Sequence, residues 1–200
     1  MNKRFLVPLA LLALAALSLA ACGGGGSGAE DEITEVIEKA MTTSDPANCT
    51  ERATLNFVEQ NSQEEGQAAL KACKEEAESG EETAKGVKVS NVSVNGEKAT
   101  ADALFEGGSL GSQALELALV EEEGKWKLDH IEGFAEYDAQ ALGDAFEKSF
   151  EEEEEEESEL SKEQASCIAK GVSKLSQAEA EAIFFEGKTE KLIELAKGCA

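Results

Sequence analysis

The chain has 200 residues, with 18 Lys and Arg against 42 Asp and Glu, a formal net charge of −24 and a single histidine. A surface this acidic repels the phosphates of DNA, RNA and anionic lipid headgroups, which excludes nucleic acid as the partner. The length fits one modest domain plus a small second unit, and the acidity also serves solubility in its own right.

Lys3 and Arg4 open the chain, and an apolar stretch over residues 5–21 follows, broken only by Pro8 and Ser18. It is short for a membrane span and has the flanks of a secretory signal. It ends in Leu19-Ala20-Ala21-Cys22, and glycine-rich residues 23–28 come next. This arrangement resembles the lipobox of bacterial lipoproteins. The resemblance implies a signal peptide over residues 1–21 and a diacylglyceryl group on the Cys22 thiol. It also implies further acylation, palmitate for example, at the new N-terminus. The protein would be held at the cell membrane, facing the extracytoplasmic side. Each buried methylene contributes about 0.8 kcal/mol, and two chains suffice for stable anchoring. Residues 22–29 read as a flexible tether.

With Cys22 given to lipid, Cys49, Cys73, Cys167 and Cys199 remain. An even number in an oxidising compartment points to disulfides. Three connectivities are open, and the local pairing, Cys49–Cys73 with Cys167–Cys199, is the simplest. There is no Cys-x-x-Cys and only one histidine, which argues against a cysteine-ligated zinc. No metal and no cofactor is expected.

Ile33, Val36, Ile37, Ala40 and Met41 recur at helical spacing, so a first helix is predicted over residues 31–41. Ser44-Asp45-Pro46 breaks it. A second helix is predicted over residues 50–60 and a third over 64–78, with Cys49 just before one and Cys73 inside the other. The period then changes to two. Val87 and Val89 alternate, and Val92 and Val94 alternate in the opposite phase, so the slip at Ser90-Asn91 reads as a bulge. Asn95-Gly96 is a strong hairpin signal. Ala99, Ala101, Ala103 and Phe105 share one face of the next strand, and Leu115, Leu117 and Leu119 one face of the third. Trp126, Leu128 and His130 are predicted to share a face of the fourth. This is a four-stranded antiparallel meander with one apolar face.

Helices followed by a curved meander make an α+β pattern. Together with the Asn95-Gly96 hairpin and the closing strand Gly124-Lys125-Trp126-Lys127-Leu128-Asp129-His130-Ile131, it resembles the NTF2-like (cystatin-like cone) superfamily over residues 30–135. That resemblance implies a sheet wrapped around helices as a cone with an open mouth, lined in part by His130 and Trp126.

Residues 136–159 read as an acidic helix and linker: Ala139, Leu142, Ala145, Phe146 and Phe150 keep helical spacing, and residues 151–157 are seven glutamates in a row. Like charges at i, i+4 are destabilising, so the run is expected to be solvated rather than a calcium loop. Residues 160–200 read as a small three-helix unit. Capping boxes start at Ser161 and Ser176. About forty residues bury little surface on their own, and a Cys167–Cys199 bridge would staple the first of its helices to the last.

No nucleophile elbow, Walker motif or dinucleotide fingerprint is present. The resemblance implies one catalytic possibility, because enzymes of the superfamily such as ketosteroid isomerase use an Asp or His inside the cone. His130 would be the general base, but Asp102, Asp129 and Tyr137 are not expected to converge on it. The sequence therefore predicts a lipid-anchored, extracytoplasmic protein with a non-enzymatic binding or structural role. Its partner would be a protein or a small apolar ligand. A small NTF2-like enzyme using His130 is the alternative.

Overall fold

A computed structural model describes residues 26–79, 84–107, 110–152 and 161–199. The signal stretch, Cys22 and glutamates 153–157 lie outside the described residues. The chain is α+β: the described residues form three α-helices and one π-helical turn, a four-stranded antiparallel meander and four further α-helices.

Helix α1 (Gly26–Thr42) begins inside the stretch expected to be tether. Ile33 and Ile37 are fully buried, each contributing about 1.5–3 kcal/mol, and Ala29 also packs on the core. Once that nucleus is packed, each residue added at the end gains a hydrogen bond for one residue ordered, which carries the helix back through glycines. The predicted second helix is split. One π-helical turn (Asn48–Arg52) is followed by extended Ala53, at φ −128 and ψ 148, and then by α2 (Leu55–Ser62). Ala53 forms a parallel bridge with Leu128, and the Thr54 N–H donates to the Leu128 carbonyl at 2.8 Å. Helix α3 (Gln67–Ser79) starts three residues later than predicted, because Gln63 and Gly66 adopt positive φ (55° and 57°) between the two helices.

The strands β1 (Gly86–Asn95), β2 (Lys98–Glu106), β3 (Ala114–Glu122) and β4 (Lys125–Glu136) pair in sequence order. The predicted bulge in β1 is present between Ser90 and Ser93, with Asn91 at φ 51°. It returns Val92 to the face of Val87 and Val89. The first hairpin is displaced by one residue from its expected place. Asn95 pairs with Lys98, leaving Gly96-Glu97 as the loop, and Gly96 at φ 65° occupies the first central position, as a type II′ turn requires. Ala99, Ala101, Ala103 and Phe105 are buried as predicted, as are Leu115, Leu117 and Leu119.

Strand β4 departs from simple alternation. Leu128 pairs with Leu119, His130 with Ala118, Ile131 with Leu117, Gly133 with Glu116 and Phe134 with Leu115. Asp129 and Glu132 are thus extra residues without partners in the register, and each shifts the strand's phase by one.

The helices α4 (Ala139–Glu152), α5 (Lys162–Val172), α6 (Gln177–Phe184) and α7 (Glu190–Gly198) follow. Both predicted capping boxes are formed, at Ser161 and Ser176, and the Ser176 N–H and hydroxyl hold the Glu179 carboxyl below its ordinary range. Helices α4 and α5 cross closely: a Cβ on Gly143 would lie 2.8 Å from the Ala169 carbonyl oxygen. The C-terminal helices have no separate core. Ile168, Val172, Leu175, Ala180 and Ile183 belong to the same apolar cluster as Ile33 and the sheet. Phe134 joins the two parts, its ring centroid 5.0 Å from Tyr137 and 4.9 Å from Phe185. The Tyr137 hydroxyl donates to the Leu175 carbonyl at 2.9 Å, and burial, then Glu179 and Asp138, raise its pKa.

Gln113 latches the sheet to α4. It is fully buried, its Nε2 donates to the Asp138 carbonyl at 2.9 Å, and its Oε1 accepts from the Asp138 N–H at 3.0 Å. Gln113→Met keeps the length and removes both bonds, so urea unfolding should show a loss of about 1–3 kcal/mol. A loss under about 0.3 kcal/mol would show that the latch contributes nothing.

Candidate functional site

The segment between α1 and α3 builds a cleft. After α1, Asp45 turns the chain by accepting from the Ala47 N–H at 2.9 Å. That bond, with Arg52 beside it, holds the Asp45 carboxyl below its usual range. Arg52 Nη1 lies 3.2 Å from Asp45 Oδ2 and 2.7 Å from Asn48 Oδ1, which ties the π-helical turn to the turn before it. Cys49, buried in that turn, is bonded to Cys73 of α3. Cys167 is bonded to Cys199, so of the three connectivities the local one is formed.

Helix α2 is fastened along β4 by side chains that imitate a strand. Gln60 donates to the Ile131 carbonyl at 3.0 Å and accepts from the Ile131 N–H at 2.7 Å. Asn56 donates to the Asp129 carbonyl at 3.0 Å, and the Thr54 hydroxyl to Asp129 Oδ1 at 3.0 Å. Thr54 also caps α2 by accepting from the Phe57 N–H. Helix α3 packs chiefly on α2 and the π-helical turn.

Between these elements and the end of β2 lies a half-open cleft of about 270 Å³. Its interior is apolar, with Met41, Ala53, Phe57, Val58, Phe105 and Leu110 around the Cys49–Cys73 bridge. Its rim is polar, with Thr43, Ser44, Asn48, Asn61, Ser62 and Glu76. The sequence located the bridge that spans this cleft but not the cleft itself. On the alanine-rich face of β2, Ala101 and Ala103 are covered to within 1%. The signal that marks the real site is a set of small residues, Ala53, Ala77 and Ala84, spread over three segments.

His130 does not line this cleft, and neither does Trp126. Trp126 is buried in the core at 4% exposure. His130 lies on the opposite face from Leu128, because the extra residue Asp129 reverses the alternation before it. The expected isolation of His130 is likewise corrected. Its Nδ1 lies 3.0 Å from Asp129 Oδ2 and its Nε2 3.1 Å from Glu132 Oε1. With both ring nitrogens engaged by carboxylates and the ring facing away from the cleft, His130 has no lone pair directed at a ligand there.

Among the described residues no group of three or more His, Cys, Asp or Glu side chains could hold a metal ion. No described helix is long and apolar enough to cross a membrane. Comparisons with protein-family models, with curated proteins and with solved structures find no match.

Two expectations follow from this geometry. Replacing both Cys49 and Cys73 by Ser opens a 24-residue separation and should lower stability by about 3 kcal/mol. Amide exchange should accelerate in α3 before the sheet; uniform acceleration would contradict the strap. His130→Ala should change stability by about 1 kcal/mol or less, as for other part-exposed ion pairs, and leave binding in the cleft unaltered. Loss of cleft binding would return His130 to the site.

Proposed function

We propose that this chain is a lipid-anchored, extracytoplasmic binding protein of the NTF2-like kind, whose cleft takes a small apolar ligand. The observation that carries this reading is the cleft itself: an apolar interior, a polar rim and a covalent strap across one wall. At about 270 Å³ it falls near the lower end of ligand sites, about 300–1,000 Å³, and exceeds the roughly 150 Å³ that suffices for benzene. The anchor rests on Leu19-Ala20-Ala21-Cys22. Two disulfides support a compartment where thiols are oxidised. The NTF2-like affinity is supported by helices on an antiparallel meander and by the Gly124-Lys125-Trp126 strand start.

Two measurements test the two halves separately. In cells, Cys22→Ser should abolish incorporation of labelled palmitate and release the protein from the membrane fraction. Retention of label would overturn the anchor. On the purified protein, the neutral fluorophore N-phenyl-1-naphthylamine should bind saturably, and Ala77→Trp, which fills the cleft from half-buried Ala77, should abolish binding with Tm unchanged. Non-saturable fluorescence, or binding that survives the tryptophan, would overturn the ligand site.

A further inference from the structure

We propose that the cleft selects a small apolar cation, a hydrophobic amine or quaternary ammonium, over neutral and anionic molecules of the same shape. The inference rests on the cleft being a ligand site, as proposed above.

Three features of the lining point to positive charge. Among the described residues Glu76 is the one charged residue in it, and no hydrogen bond or ion pair with another of them engages its carboxylate. The nearby bases are otherwise disposed. Arg52 is held by Asp45 and Asn48, and the Lys85 stem packs over Gly107 without its ammonium lining the cleft.

The second feature is the direction of the rim's hydrogen bonds. The Thr43 hydroxyl donates to the Lys39 carbonyl at 2.6 Å, the Ser62 hydroxyl to the Val58 carbonyl at 2.8 Å, and Asn61 Nδ2 to the Phe57 carbonyl at 2.8 Å. Each hydroxyl has one hydrogen to give, so with it committed to the backbone the oxygen offers only lone pairs. Such a rim presents lone pairs to the N–H groups of an ammonium, while a carboxylate would find only the second Asn61 N–H and the Ser44 hydroxyl as donors.

The third feature is aromatic. Phe57 and Phe105 both line the cleft, and ring faces attract cations that come within about 6 Å. Around all of this, a chain of net charge −24 raises the local concentration of cations and steers them inward.

The test uses three probes of one skeleton: 2-phenylethylamine, 2-phenylethanol and phenylacetate, each competed against N-phenyl-1-naphthylamine at low salt. The amine should bind about tenfold tighter than the alcohol, from one ion pair and one ring contact, with phenylacetate weakest. Glu76→Gln, or added salt, should shrink the amine's advantage to about twofold. An amine that binds no tighter than the alcohol, or an advantage unchanged in Glu76→Gln, overturns the charge selectivity while naphthylamine binding leaves the ligand site standing. Absence of naphthylamine binding overturns both.

Discussion

A single backbone contact organises the ligand-facing half of this protein. Thr54 N–H donates to the Leu128 carbonyl at 2.8 Å, with Ala53 bridged to the same residue. To make that contact the chain must leave helical geometry for two residues, so a segment with helical periodicity becomes a π-helical turn, an extended step and a short capped helix. The break directs α2 along β4, where Gln60 completes the edge's hydrogen bonding. It also sets the π-helical turn and α3 against each other so that Cys49 and Cys73 can join. Cleft, strap and rim all descend from it.

The opposite partner in that contact is an irregular strand. The extra residues Asp129 and Glu132 in β4 increase local twist, and they place two carboxylates and His130 on the outer face. Asp129 serves both sides: its carbonyl and carboxylate receive α2, and its second carboxylate oxygen meets His130. The one histidine therefore belongs to the apparatus that holds α2 on the sheet edge, at a distance from the apolar interior of the cleft.

The C-terminal helices close the other side of the same core. Phe134, inward-facing through its pairing with Leu115, packs at a tilt against Tyr137 and Phe185, and Gln113 links the start of β3 to the start of α4. The Cys167–Cys199 bridge ties α5 to the last helix within a body that already shares one apolar cluster, so it reinforces packing rather than substituting for it.

What the residues determined by themselves is local. The period of Ile33 and Ile37, the capping boxes at Ser161 and Ser176, the bulge at Asn91 and the alternation of Ala99 to Phe105 depend on neighbours a few positions away, and each stands as the sequence predicts. Cysteine spacing was enough to favour the local disulfides. Tertiary structure alone decided the rest. The end of the helix before Ala53 depends on a strand some seventy-five residues distant, and no propensity scale contains that partner. The face of His130 depends on one unpaired residue, since a shift of one position moves every later side chain across the sheet. The cleft arises where three segments place small side chains together, a coincidence in space that leaves no period in the chain.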